Sequence, residues 1–146
     1  MITVMPNKYP TLMHEWFEEV WNRRDAEAIE RLLAADTIVH GITDEHGMEV
    51  RGPKAFREFH SRYLNAFPNV TVEVVDTVSE DDKIAARCIV RGKHEGDGIG
   101  IKATQKEANF TGMCMARVKD GKIVEAWNNF DFLTMHTQLD SLKLLL

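Results

Sequence analysis

Between Thr11 and Arg23 the apolar residues Leu12, Met13, Trp16, Phe17, Val20 and Trp21 recur in steps of three and four. That is the period of a helix with a broad apolar face. A second, short helix is expected with Asp25 as N-cap and with Ala26, Ile29, Leu32 and Leu33 on one side. Thr37 to His40 reads as a short extended segment, and Ile42 to Val50 as a polar, glycine-containing loop. A third helix opens at Gly52-Pro53, where proline suits the first helical position. Phe56, Phe59, Tyr63 and Phe67 form its stripe, and Pro68 ends it. The period then changes. Val70, Val72 and Val74 alternate with polar residues, as in a strand. Ser79-Glu80-Asp81-Asp82 marks a turn, and strands are expected over Lys83 to His94, Glu107 to Lys119 and Lys122 to Phe130. Asp120-Gly121 suits a type I′ hairpin turn, which needs positive φ at both central positions. Leu133 to Leu139 reads as a short closing helix.

Helices first and hairpin-linked strands later predict an α+β domain, a curved antiparallel sheet folded over the N-terminal helices around an internal pocket. One domain of 146 residues is long enough to bury its own core. The Lys83 to His94 and Glu107 to Lys119 strands read as apolar on both faces, with Phe110, Cys114 and Ala116 on one side and Met113 and Met115 on the other. A sheet dry on both sides needs a second cover. Self-association supplies it most simply, so a homodimer through the convex face is expected.

Composition narrows the partners. The chain is 44% hydrophobic and 28% charged, with a formal net charge of -5. No basic stretch outweighs that charge, which argues against nucleic acid. No apolar run approaches the roughly 20 residues that span a bilayer, so no membrane association is expected. The opening MITVMPNKYP lacks the regions of a secretory signal. Cys88 and Cys114 sit in apolar runs and read as buried reduced thiols. The expected compartment is the cytoplasm.

Candidate chemistry gathers at Trp127-Asn128-Asn129-Phe130-Asp131. Asn128 is expected to share a strand face with Val124, Ala126 and Phe130. A buried amide there either ties the sheet to a loop or orients a ligand carbonyl inside an apolar pocket. Asp131, the nearest carboxylate, points away from that face by strand period. It reads as N-cap of the closing helix, or as a base if the strand end turns it inward. His40 is either structural or a proton shuttle. Trp16, Phe17, Phe59, Tyr63 and Trp127 read as core or as pocket wall. His40, Asp44, Glu45 and His46 match no familiar metal-site spacing, and no metal or other cofactor is expected. Gly96, Gly98 and Gly100 lack the strand-to-helix setting of a dinucleotide fingerprint and suggest a mobile lid instead. His94, at the start of that loop, is expected to be exposed.

Four stretches also carry a family resemblance. They are EEVWNRRDAEAIERLLAADTIVHG, RGPKAFREFHSRYLNAFPNVTVEV, RGKHEGDGIGIKATQKEANFTG and DGKIVEAWNNFDFLTMHTQL. In this order they resemble the cone-shaped NTF2-like fold, and within it the SnoaL-like branch of polyketide cyclases and predicted ester cyclases. The resemblance implies cofactor-free chemistry on a small apolar carbonyl compound. A carboxylate on the last strand would remove a proton beside a ketone, assisted by a histidine on the preceding strand, and the carbanion would close a ring. Matched motif to motif, the base position falls on Asn128 and the histidine position on Cys114. An amide accepts no proton at neutral pH. Lys102-Ala103 stands where relatives often carry a proline pair. Two readings follow: a cyclase, isomerase or lyase acting on a carbonyl compound, and a non-catalytic module that binds one.

Overall fold

The computed structural model describes residues 9–142. Helix α1, Tyr9–Trp16, runs directly into a π-helical segment, Phe17–Asn22. The single helix expected for Thr11 to Arg23 therefore widens half-way. The Arg23 N–H reaches back five residues to the Glu18 carbonyl, at 2.8 Å. The widened turn buries Phe17 and Val20 together, and His60 donates from Nε2 to the Val20 carbonyl at 2.6 Å. Helix α2 spans Glu27–Leu32, and the Asp25 carboxylate accepts from the Glu27 N–H at its start. Leu33, expected on that helix, is the first residue of strand β1, Leu33–Thr43.

β1 is much longer than the expected Thr37 to His40, and the following polar stretch is a hairpin rather than a loop. Asp44 accepts from the N–H groups of His46 and Met48 and turns the chain into β2, Glu49–Arg51. Three residues are too few to show an alternating pattern. Helix α3, Gly52–Ala66, starts at the expected glycine–proline pair. Strands β3 (Thr71–Glu80), β4 (Lys83–Lys93), β5 (Glu107–Lys119) and β6 (Lys122–Phe130) follow, and helix α4 covers Phe132–Gln138. Asp120 and Gly121 both have positive φ, at 53° and 76°, as the β5–β6 hairpin requires.

The six strands form one curved sheet in the order β2-β1-β6-β5-β4-β3. It departs from the antiparallel expectation at one seam, where β1 runs parallel to β6 with His40 opposite Trp127. β1 meets β6 only after the chain has crossed through β2, α3, β3, β4 and β5, so no hairpin constrains their direction. The register slips between Leu33 and Ile38. Fully buried Thr37 stands in that break, its hydroxyl 2.6 Å from the Ile123 carbonyl. At the other end of the sheet, edge strand β3 is guarded by Asn22. Its side chain accepts from the Val72 N–H at 2.7 Å and donates to the Val72 carbonyl at 2.9 Å. That caps edge groups which would otherwise invite another strand.

Side chains alternate strictly along β4 and β5. Ile84, Ala86, Cys88, Val90, Ala108, Phe110, Cys114, Ala116 and Val118 are buried under the helices. The opposite, outer face is mixed rather than uniformly apolar. Met113 and Met115 are 56% and 36% exposed, and ion pairs Arg87–Asp76 and Arg91–Glu73 lie on the same face.

The glycine-rich loop between β4 and β5 is fastened to α3. A Cβ at Gly96 would run into the Asn65 carbonyl, and one at Gly98 into that of Arg62. His94 is fully buried, against the expectation of exposure. It directly follows β4, and its backbone pairs with Gln105 and Lys106 across the loop's neck. Its Nδ1 accepts from the Thr104 N–H at 3.2 Å, so the hydrogen resides on Nε2, which has no partner among the described residues. Among the described residues no helix is long and apolar enough to cross a membrane.

Candidate functional site

The concave face of the sheet and the helices enclose a cavity of about 100 Å³. One wall comes from α1 and the π-helical segment through Met13, Trp16, Phe17 and Trp21. Phe17 and Trp21, four residues apart, face the same space. α3 contributes Phe56, Phe59 and Tyr63 at the spacing of its apolar stripe. The sheet supplies Val72, Val90, Phe110, Cys114 and Asn128, and Phe130 and Phe132 close the end beside α4. No loop residue between Lys93 and Ala108 lines the cavity, so the glycine loop does not form its lid.

Six of the residues singled out in the sequence thus meet at one cavity: Trp16, Phe17, Phe59, Tyr63, Cys114 and Asn128. Three do not. Trp127 follows the period of two and points outward, where its ring stacks on His40 at 5.6 Å. His40 is turned outward by the same rule, since its neighbour Val39 is buried inward. Its Nε2 lies 2.8 Å from Glu125 and its Nδ1 3.1 Å from Glu49. Asp131 caps α4, accepting from the N–H of Thr134 at 3.0 Å and from its hydroxyl at 2.6 Å. Those bonds hold its carboxyl below the usual carboxylate range. Val124, expected beside Asn128, is the extra residue at a register break between β5 and β6.

The cavity's polar groups are few. The Asn128 amide donates from Nδ2 to the His40 carbonyl at 3.1 Å. The Tyr63 phenol has no hydrogen-bond partner among the described residues, and burial pushes it up from its ordinary pKa. The Cys114 thiol is pushed up by its hydrogen bond with Cys88 and by burial, which keeps it protonated and unsuited to act as a base. No carboxylate, histidine, lysine or arginine lines the cavity among the described residues. Two buried histidines stand just behind its wall. His60 packs edge-on against Trp21, and burial lowers its pKa. His94 packs on Phe67. The missed wall residues, Met13, Trp21, Phe56, Phe110, Phe130 and Phe132, were all visible in the sequence as apolar positions in phase with those chosen.

The SnoaL-like polyketide cyclase family matches the chain over residues 11–139. The chain belongs to this family. Wild-type IdmH from Streptomyces antibioticus is similar in structure, with a TM-score of 0.79 at 29% identity, covering 92% of this chain and 99% of that one. TsrD from Streptomyces laurentii shares the fold with a TM-score of 0.81 at 22% identity, over 96% of this chain and 100% of that one. The aklanonic acid methyl ester cyclase DnrD of Streptomyces peucetius is 28% identical over 96 residues, which span 65% of this chain and 66% of that enzyme. A SnoaL-like cone is therefore the frame in which Asn128 faces the cavity from the last strand.

Proposed function

We propose that this chain receives a small, largely apolar carbonyl compound of polyketide type in its cavity and promotes a cofactor-free, cyclase-type rearrangement of it. The observation behind this reading is Asn128, a polar group on the last strand that faces an aromatic-walled cavity. In this mechanism the Asn128 amide and the Tyr63 hydroxyl hydrogen-bond the ligand carbonyls. The aromatic wall folds the ligand so that its reacting carbons meet, and orientation of that kind lowers a barrier without a strong base. The proton beside the ketone passes to a water molecule that enters with the ligand, and the Asn128 and Tyr63 donors stabilise the enolate left behind.

The lack of a carboxylate or histidine on the described lining favours a second reading, in which the chain binds the carbonyl compound and leaves it unchanged. Deuterium uptake at the carbon beside the ketone separates the two. On the first reading the wild type accelerates uptake by a bound 1,3-diketone. Asn128→Asp then places a carboxyl where burial raises its pKa, and uptake should rise by a further ~10²–10⁴-fold, the usual range for a positioned base. Binding without exchange in the wild type would leave the binding reading standing.

We further propose a homodimer formed through the outer face of β4 and β5. The two free thiols, Cys88 and Cys114, suit a reducing compartment such as the cytoplasm. The formal net charge of -5 favours a small-molecule partner over nucleic acid.

A further inference from the structure

His40 is absent from the cavity, yet it touches the one amide that the proposed function uses. Its two sides face different worlds. On the outer face of the sheet the ring lies between two carboxylates, Glu125 of β6 at 2.8 Å and Glu49 of β2 at 3.1 Å. Trp127 of β6 stacks on it. Arg117 of β5 holds the other oxygen of Glu125 at 3.2 Å, and Arg51 stands 3.6 Å from the other oxygen of Glu49. On the inner side the His40 carbonyl accepts the Asn128 Nδ2 hydrogen bond. The next residue, Gly41, has a φ of 86°, and a Cβ there would run into the Asn128 carbonyl. The His40–Gly41 backbone therefore lies directly on Asn128, with no side chain between them. β1 also loses its regular pairing with β2 between Val39 and Thr43. On that side ladder bonds do little to hold this point of the strand, and the ring's bond to Glu49 of β2 takes their place, while on the other side His40 stays in register with Trp127 of β6.

We propose that His40 is a positioning residue. Clamped between Glu49 and Glu125, its ring fixes the His40–Gly41 backbone against Asn128, so that loss of the imidazolium charge loosens the amide that orients the ligand. The inference rests on the proposed role of Asn128 and adds a control to it. The imidazolium form donates from both ring nitrogens, one to each carboxylate. The neutral form has one donor, so one ring nitrogen presents a lone pair to a carboxylate and that side of the clamp is lost. The clamp also raises the His40 pKa above 6.5, chiefly through the Glu125 hydrogen bond. Asn128 is therefore held below the raised His40 value and released as pH rises through it.

Two measurements test this. In the ligand-free protein labelled with nitrogen-15, the Asn128 side-chain amide signal should shift between pH 5 and 9 with the midpoint of the His40 ring. Glu125→Gln should move both midpoints down together. His40→Gln should abolish the Asn128 transition. An amide signal that stays still while His40 titrates, or that shifts equally in His40→Gln, overturns the proposal. The second measurement is the affinity for 2-acetylnaphthalene, an uncharged ketone, read by tryptophan quenching with light scattering to hold the association state constant. It should fall ~3–10-fold across the same midpoint, the effect of one hydrogen bond, and should be flat in His40→Gln. A ketone that fails to bind at any pH, with an amide that still follows His40, refutes the cavity reading and leaves the coupling intact. Tight but pH-independent binding with a silent amide refutes the coupling and leaves the cavity reading intact.

Discussion

Asp131 stands where β6 gives way to α4, and the backbone uses its charge. Both oxygens are engaged by Thr134, and these bonds hold its carboxyl below 3.8. A depressed carboxylate stabilises the fold above its unfolded pKa and loses that contribution as pH falls through the folded value. Asp131→Ala should therefore lower the thermal midpoint at neutral pH. The gap from wild type should begin to narrow below about 3.8 and narrow further as the pH falls through the lower folded value. Asp131→Asn should keep most of the cap, since asparagine is an equally good N-cap residue. Thermal unfolding of the three proteins across pH checks this; a gap that persists in acid would mean the loss lies elsewhere. At this scale the sequence was partly legible. The outward parity of Asp131 and its fit to a cap followed from the strand period and the residues after it. The burial of His94 depends on α3 and the returning loop, which sequence position does not reveal.

Among the elements, the glycine loop shows how close approach replaces flexibility. Gly98 sits against the α3 backbone with no room for a methyl group. The Asp97 side chain accepts the Ala103 N–H at 2.7 Å, which closes the loop on itself. Gly98→Ala must push the loop off α3 and should cost about 1–3 kcal/mol, as overpacking usually does. Amide exchange should quicken over residues 95 to 106 while the β4 and β5 ladder keeps its protection. Uniform exchange in both proteins would refute the docking. Three glycines in five residues do not distinguish a lid from a docked loop. That difference lies in the neighbouring carbonyls of Arg62 and Asn65. The π-helical segment was hidden for a similar reason. An apolar spacing of three and four fits a regular helix as well as a widened one, and the Val20–His60 hydrogen bond that accompanies the widening spans 40 residues.

For the whole molecule the open matter is what covers the outer face of the sheet. Met115 lies between Ala85 and Trp127 across three strands, and Met113 lies beside it between Arg87 and Asn129. An apolar centre with charged residues around it has the anatomy of an interface. Light scattering at micromolar concentration should give a dimer. Met115→Glu should convert it to a monomer, because between Ala85 and Trp127 each subunit would bury a charge with no cation opposite it. Met48→Glu, in the exposed β1–β2 turn, should have no effect. A monomeric wild type would dismiss the interface.

What the sequence determined by itself was the fold and most of the wall. Periods of 3.6 and 2 are local properties, and they place Phe59 and Tyr63 on one helix face and Asn128 opposite Trp127 on one strand without reference to anything distant. Tertiary structure decided what those faces meet. It set β1 parallel to β6, which put the His40 carbonyl on the Asn128 amide and the His40 ring among carboxylates from two other strands. It also left the cavity without an ionisable base among the described residues. Both outcomes depend on contacts across 9 to 88 residues of chain, and local pattern cannot encode which distant backbone a side chain will reach.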